Sequence, residues 1–211
     1  MRLAAAVAAV SLVAAPAVAR AERPLPSDLA APAAPTRPTG TSLGLGIGWS
    51  VPAQALSPDL VGVRLRTAGG LVLEPVVSIT HDRSTTDDGT TRTADVLDAV
   101  DLALVVREPV ARRGRVELSV LAAADLRRTV SDPDGDDNSQ TDSTWSVGYG
   151  LALDYWPGRH WDLSLDATNP IYTSTSATRD NGTGVPPVST DETRLGLVFD
   201  PTVTVMIHLF L

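Results

Sequence analysis

The sequence contains no cysteine and no lysine, and only 4% of its residues are aromatic. The absence of cysteine excludes a disulfide framework, a thiolate nucleophile and a thiolate metal ligand. All 17 basic side chains are therefore arginine, which carries no functional inference by itself. No stretch reaches the roughly 20 consecutive apolar residues that a membrane-spanning helix needs. Any insertion of this chain into a bilayer must use β-strands.

The N-terminus has the pattern of a secretory signal peptide, which we assign to residues 1–21. A basic residue, Arg2, precedes an Ala/Val/Leu run, and small residues allow cleavage after Ala19 or Ala21. Removal of this segment would change the formal net charge of -8 to -10, because it takes away Arg2 and Arg20 and no acid. Such an acidic protein is not expected to bind nucleic acid.

Residues 22–40 form the second predicted segment, and residues 41–211 form the third. Five prolines among small residues predict an extended or disordered periplasmic tail for the second segment, which we interpret as a spacer. From residue 41 onward, apolar and polar residues alternate in runs. The chain is thus expected to consist of a signal peptide, a proline-rich tail and one β-domain.

The clearest alternation is in residues 144–166. Large apolar residues occupy every second position from Trp145 to Tyr155, and small or polar residues occupy the positions between them. After a turn at residues 156–160 the alternation resumes at Trp161. A strict period of two over a dozen residues predicts a β-strand with two unlike faces, so this stretch is a β-hairpin.

Eight such strands can be counted, and their connections alternate in length. Short turns are predicted at residues 68–70, 108–114 and 156–160. Long polar loops are predicted at residues 81–93, 131–143 and 178–192. Short turns at one end and long loops at the other are typical of an all-β, eight-stranded antiparallel up-and-down transmembrane β-barrel.

The turn at residues 68–70 also fixes a strand register. A three-residue connection places Leu65 opposite Leu73 and Arg64 opposite Glu74, so that both faces match. In the seventh strand, Pro170 cannot donate to a β-ladder, so a β-bulge is predicted at Asn169-Pro170.

Alternation alone does not say which face is inside. A soluble, lipocalin-like periplasmic ligand carrier would place the apolar face inward, whereas a membrane barrel places it outward. Three features favour the membrane barrel: the alternating loop lengths, the small residues on the polar face, and the aromatic residues at strand ends. The predicted aromatic girdle consists of Trp49, Trp145, Tyr155 and Trp161.

The polar face carries charges of both signs, which a narrow lumen would force to pair. The predicted lumen charge network consists of Arg64, Glu74, Asp101, Arg107, Glu117, Asp125, Asp154, Asp162, Asp166, Arg194, Asp200 and His208. The same alternation also assigns Arg66, Arg115 and Arg127 to the lumen. We interpret the network as a salt-bridged plug, and a gated conductance path is the alternative.

No catalytic or metal site is predicted. The acidic loop Asp132 to Asp142 offers oxygen ligands for calcium, but it lacks the glycine and glutamate spacing of an EF-hand. His81, Asp82 and Ser84 lie close in sequence without the convergence of nucleophile, base and orienting group that catalysis needs. We therefore expect no enzymatic activity, no cofactor and no bound metal.

The signal peptide, the eight strands and the loop rhythm from Thr41 to Leu211 resemble the small bacterial outer-membrane barrels of the OmpA transmembrane-domain and OmpX type. The resemblance rests on architecture and includes no diagnostic motif. It implies a Gram-negative outer-membrane location, a side-chain-filled interior, lipid contacts and delivery by the outer-membrane assembly machinery. One departure is that Phe210 is penultimate, whereas such barrels commonly finish on an aromatic residue.

Two functions follow as expectations from this resemblance and from the residues. The first is a monomeric structural or surface-exposed protein, with a role in adhesion or envelope integrity and an extracellular ligand on its long loops. The second is a narrow, low-conductance, porin-like channel.

Overall fold

The structure, a computed structural model, describes residues 37–51, 58–87, 92–133, 138–182, 185–197, 199 and 201–211. The predicted signal peptide and most of the proline-rich tail lie outside these residues. Within them, no helix is long and apolar enough to cross a membrane. The strands are β1 (Ser42–Val51), β2 (Leu60–Arg66), β3 (Val72–Asp87), β4 (Arg92–Arg113), β5 (Val116–Pro133), β6 (Asn138–Gly158), β7 (Trp161–Asn181), β8 (Val188–Leu195) and β9 (Thr202–Phe210).

Eight of these strands form a closed antiparallel ring. Each strand from β1 to β7 pairs with the next, β7 pairs with β9, and β9 returns to β1. The first strand therefore lies beside the last, with Ile47 opposite Ile207. The predicted all-β, eight-stranded up-and-down architecture is confirmed.

The predicted eighth strand is divided in two. β9 pairs with the first part of β7, whereas β8 pairs with the later part through Tyr172 to Arg179. Gly196 follows β8 outside the strands, and its N–H donates to the Ile171 carbonyl at 2.9 Å. The prediction of one continuous strand was wrong because apolar alternation through Leu195, Leu197 and Phe199 gives no sign of the break.

The long polar loops were also predicted to be longer than they are. β3 extends to Asp87 and β4 begins at Arg92, while β5 extends to Pro133 and β6 begins at Asn138. These extensions are rich in Ser, Thr and Asp, so they lack the apolar alternation by which strands were recognised. At the other end, β4 continues to Arg113 and β6 includes Trp156, which shortens the predicted turns.

Two predictions of local geometry are confirmed. Leu65 lies opposite Leu73, and the Thr67 N–H donates to the Leu71 carbonyl at 2.9 Å. In the β6–β7 pair, Gly148 lies opposite Pro170 and Val147 opposite Tyr172, which leaves one extra residue on β7. This is the β-bulge predicted beside the proline.

We call the end with the connections at residues 67–71, 114–115 and 159–160 the turn end, and the opposite end the loop end. At the loop end, the pairing of β2 with β3 stops at Ser78, while β3 to β7 continue. The continuing parts of these strands, together with β8, form a sheet that we call the loop-end wall. In the described part of the chain, its two edges are β3 beyond Ser78 and the outer side of β8.

Alternate residues of the ring strands face opposite environments. Polar and small residues face inward and are buried, whereas large apolar residues face outward and are exposed. The inward side chains of Leu60, Val76 and Met206 form a small apolar cluster within the ring. The remaining buried interior is dominated by charged groups.

Candidate functional site

The interior of the ring holds a group of ion-paired side chains that we call the interior charge cluster. Six strands contribute to it, because each places inward residues at the same height. Its members are Arg64 from β2, Glu74 from β3, Arg107 from β4, Asp154 from β6, Asp162, Ser164 and Asp166 from β7, and His208 from β9. All of these residues are buried.

Arg64 is one of the two cationic centres of this cluster. Its Nε donates to Glu74 at 2.9 Å, and its Nη1 donates to Asp154 at 3.0 Å. Nη1 also donates to Asp162, and Nη2 donates to the Ser164 hydroxyl at 3.1 Å. One guanidinium thus joins β2, β3, β6 and β7 across the lumen.

Arg107 is the second cationic centre. Its Nη2 donates to Glu74 and to Asp166, each at 2.6 Å, and its Nη1 donates to Asp154 at 3.3 Å. Glu74 and Asp154 therefore contact both guanidiniums. Charge-assisted hydrogen bonds of this kind are stronger than those between neutral groups, and each partner here depends on the others.

His208 completes the cluster from the last strand. Its Nε2 lies 2.7 Å from Glu74 Oε1, and its Nδ1 lies 3.6 Å from Asp162 Oδ2. The imidazole of His208 packs against the backbone of Gly46, where an added Cβ would lie 2.3 Å from His208 Cδ2. A glycine in β1 is therefore what leaves room for the imidazole.

A second group, which we call the mouth cluster, lies at the turn end. Arg66 donates to both oxygens of buried Glu117 at 2.8 and 2.9 Å. Arg112 Nε lies 2.7 Å from Glu117 Oε2, and Arg37 Nη1 lies 3.8 Å from the same atom. Three guanidiniums therefore surround a single carboxylate.

Aromatic side chains fill the lumen beside the mouth cluster. Trp156 and Phe210 are both buried, and their ring centroids are 5.1 Å apart. The Arg66 guanidinium lies 5.4 Å from the centroid of the Trp156 ring, a cation–π distance. From the turn end inward, the lumen is thus occupied by these aromatic rings and then by the interior charge cluster.

Not every predicted lumen residue joins these two clusters. Asp125 accepts hydrogen bonds from the Ser146 hydroxyl and, like Asp101, is only partly buried. Arg194 lines the inner side of the loop-end wall beside Thr173, but it is exposed and pairs with Glu192 at 2.7 Å. Alternation predicted its face correctly, but the wall is open to solvent there.

Three further predicted lumen residues need correction or fall outside the description. Arg115 is exposed because it lies in a turn at the end of the ring, where the alternation of faces no longer applies. Arg127 is exposed because it lies in the part of β5 that leads into the loop-end wall, which is open to solvent. Asp200 lies outside the described residues.

Sequence reasoning missed several interior residues. Arg112 was assigned to a turn, and a register shift between Pro109 and Ala111 brings it to the inward face opposite Glu117. Trp156 was also assigned to a turn, although it follows Asp154 on the inward positions of β6. Phe210 follows His208 on β9 in the same way. Continued alternation was the signal for both aromatic residues.

The predicted girdle residues lie on the outer face, with one partial exception. Tyr155 and Trp161 are exposed at the turn end, and Trp145 is exposed towards the loop end, where its ring centroid lies 4.6 Å from that of Tyr172. Trp49 is half-buried. The outer face therefore carries aromatic side chains at two heights.

Other predicted chemistry can be placed as follows. His81 Nδ1 lies 2.5 Å from Asp98 Oδ1, and Ser84 lies opposite Asp95. His81 and Ser84 are three residues apart on β3, so they face opposite sides of the strand. Among the described residues, no group of three or more His, Asp or Glu could hold a metal ion. Residues 134–137 of the acidic loop lie outside the description.

Comparisons with known proteins find similarity in structure but not in sequence. No family model and no curated protein matches the sequence. Among solved structures, the chain is similar to a major outer membrane protein from Thermus thermophilus, with 10% sequence identity and a TM-score of 0.47. The match covers 81% of this chain and 99% of that chain. A likeness of this size carries no functional inference.

Proposed function

We propose that this protein is an outer-membrane β-barrel with a closed, side-chain-filled lumen and a structural, surface-presenting role. The observation that carries the proposal is the inverted arrangement of the ring, with charged groups buried inside and apolar groups exposed outside. The exposed apolar side chains of the ring include Leu45, Ile47, Val61, Leu102, Leu104, Val120, Leu151, Leu153, Leu163 and Leu165. A contiguous apolar surface of this extent needs a lipid or protein partner.

The soluble alternative requires the opposite arrangement. A lipocalin-like carrier would line its lumen with apolar side chains around a ligand. Here the lumen at the height of the apolar surface holds Arg64, Arg107 and their carboxylates. We therefore do not propose a soluble ligand carrier.

Backbone hydrogen bonding supports a bilayer around the closed ring. Unpaired backbone groups are very costly in hydrocarbon, so a strand edge must lie outside it. The ring is closed over the length of β1 and β9, which have 10 and 9 residues, close to the roughly 9–11 that a tilted spanning strand needs. The apolar core of the membrane would then lie between Trp161 and Tyr155 at one boundary and Trp145 at the other.

The surface-presenting role follows from the loop-end wall. Strands of 16 to 22 residues exceed what the membrane needs, so β3 to β7 would project into water beyond it. Their polar composition suits that environment. Adhesion or envelope integrity is the role we assign, with export by the signal peptide and insertion by the outer-membrane assembly machinery.

Cell fractionation with a heat-modifiability gel tests the proposal. We expect the protein in the outer-membrane fraction and a change of mobility between unboiled and boiled samples, because a closed barrel resists detergent unfolding. Recovery in the soluble periplasm with no mobility change would contradict the proposal.

Topology can be tested separately with inserted epitope tags. A tag beside Val185, at the loop end, should react with antibody on intact cells. Matched tags at Gly69 and Gly158, in the turns, should react only after the cells are opened. The reverse pattern would contradict the assigned orientation.

A narrow channel is the second candidate function. The observation in its favour is the charged, polar lining of the lumen from Arg107 to Asp125. The multiply bonded guanidiniums argue for a closed state. We expect no steady conductance for the unaltered protein in a planar bilayer, and regular openings would favour the channel.

A further inference from the structure

The two ends of the ring differ in the charge of their outer surfaces. At the turn end, the exposed residues that the structure describes outside the lumen include three arginines, Arg113, Arg115 and Arg159, and one acid, Glu108. At the loop end, the exposed outward positions that the structure describes carry two arginines and four acids, namely Arg83, Arg128, Asp98, Asp132, Asp180 and Asp191. A protein with an acidic total therefore has a basic rim at one end.

The arginines of this rim lie just beyond the aromatic residues. Arg113 pairs with Val116, and Val116 pairs with Tyr155, so the backbone of Arg113 lies at the same height as that of Tyr155. Arg115 is next to Val116, and its carbonyl accepts a hydrogen bond from Trp156 N at 2.9 Å. Arg159 lies in the two-residue turn that precedes Trp161.

This position corresponds to lipid headgroups if the aromatic residues mark the edge of the hydrocarbon. Tyr and Trp side chains prefer that boundary, and arginines one or two residues further out reach the phosphate layer. The planar guanidinium binds phosphate oxygens in pairs. Within the described ranges, no carboxylate forms a salt bridge with Arg113, Arg115 or Arg159.

The mouth cluster adds positive charge on the inner side of the same rim. Three guanidiniums share one carboxylate, and Arg37 and Arg112 remain 28% and 36% exposed. They therefore raise the positive potential around the outer arginines.

We propose that Arg113, Arg115 and Arg159 form a turn-end collar that binds the phosphate groups of anionic phospholipids. The collar rests on the proposed function, since it requires the ring to span a bilayer. Its partner is the lipid layer at the turn end. Among the described residues of the loop end, exposed acids outnumber exposed arginines on the outward face.

Spin-labelled lipids provide the test. The protein is purified from membranes and reconstituted into phosphatidylcholine vesicles that contain a trace of spin-labelled phosphatidylglycerol or phosphatidylcholine. We expect the lipid shell around the protein to prefer phosphatidylglycerol by about three- to fivefold at low salt. The preference should fall towards one at about 1 M salt, because exposed charges are then screened.

Two triple variants, each of which removes three positive charges, distinguish an effect of the collar on the lipid preference from an effect of the net charge of the protein. The variant R113Q/R115Q/R159Q should lose the preference. The control R83Q/R128Q/R179Q, altered at exposed loop-end arginines, should keep it. Equal loss in both variants, or no preference in the unaltered inserted protein, would overturn the collar while the membrane assignment stands.

Two further outcomes are decisive. Loss of the preference in millimolar inorganic phosphate, but not in chloride of equal ionic strength, would show that the guanidiniums bind soluble anions instead and would overturn the lipid assignment. Failure of the unaltered protein to insert into any vesicle would overturn the proposed function and the collar together.

Discussion

The closed ring and the loop-end wall share strands β3 to β7, yet the two regions differ in strand pairing and in the burial of their charged side chains. In the ring, each strand has two hydrogen-bonded neighbours, and the charged members of the interior charge cluster are buried and ion-paired. In the wall, β8 has one neighbour among the described strands, and all eight of its residues are exposed. In the proposed membrane position, the strands would thus pass from a region that must satisfy every backbone group internally to one where water can do so.

The ion pairs show the same difference. Arg64 and Arg107 are almost fully buried and bind five acceptor side chains between them. In the wall, His81 pairs with Asp98, and their side chains are 65% and 57% exposed. A buried pair that loses one partner leaves an uncompensated charge, whereas an exposed pair exchanges its partner for water.

Proline substitutions give the largest expected contrast between the regions. Ile207 lies in β9 between β1 and β7, so Ile207→Pro must remove a ladder hydrogen bond within the closed ring. An unsatisfied group in hydrocarbon costs several kcal/mol. We expect loss of the heat-modifiable folded form on gels.

A matched proline in the wall should be tolerated. The Gly196 N–H donates to β7, so in an antiparallel ladder the Thr193 N–H points to the free edge of β8. Thr193→Pro should therefore leave the folded form intact. Equal effects of the two prolines would contradict the distinction between closed ring and open wall.

Replacement of Arg64, one of the two cationic centres of the interior charge cluster, should cause the next largest loss of stability. Arg64→Gln leaves Glu74, Asp154 and Asp162 short of a partner, and breaking a buried pair costs about 3–5 kcal/mol. Urea unfolding of the reconstituted protein measures this loss. A loss below about 1 kcal/mol would contradict the plug.

The matching double variant sharpens this result. If Arg64 and Glu74 formed an isolated pair, Arg64→Gln with Glu74→Gln would restore most of the stability. In the structure, Glu74 also binds Arg107 and His208, so we expect only partial recovery. Full recovery would show that the pair acts alone.

A methyl group at Gly46 should have an intermediate effect. The new Cβ of Gly46→Ala would lie 2.3 Å from the His208 ring, and overpacking of an interior costs about 1–3 kcal/mol. Gly158→Ala is the control, because nothing lies within 4 Å of its Cβ, and it should change stability by less than about 0.5 kcal/mol. The two variants are compared by urea unfolding, and equal values would contradict the packing of His208 against β1.

The smallest effect is expected for the exposed pair. Asp98→Asn should reduce stability by less than about 1 kcal/mol, since exposed ion pairs contribute little. The same urea titration measures it. A loss as large as that of Arg64→Gln would show that the wall is buried by a partner.

The parts of the fold that sequence could predict are those where the two faces of a strand meet different surroundings. The hairpin from Trp145 to Leu165 and the register of Leu65 with Leu73 have an apolar and a polar face, so alternation fixes them. The extension of β3 to Asp87 could not be predicted, because both of its faces meet water and alternation disappears.

The same reasoning applies to the candidate site. Alternation places Arg64, Glu74, Asp154 and His208 on one face, and the alternating loop lengths and the small residues of that face favour it as the inner one. The sequence does not predict which carboxylate each guanidinium binds, because that depends on the register of all eight strands in the closed ring. The position of Arg112 opposite Glu117 depends on a register shift, which leaves no pattern in the sequence.

The pairing of β1 with β9 has a consequence for how the protein folds. Residues near the start and the end of the domain must meet before the ring exists, so the decisive contacts have very large sequence separation and form slowly. His208 arrives on the last strand, and until then Glu74 lacks one of its partners. The ring therefore closes only after β9 has been synthesised, and until then the partly folded chain has two open strand edges, which are prone to aggregation.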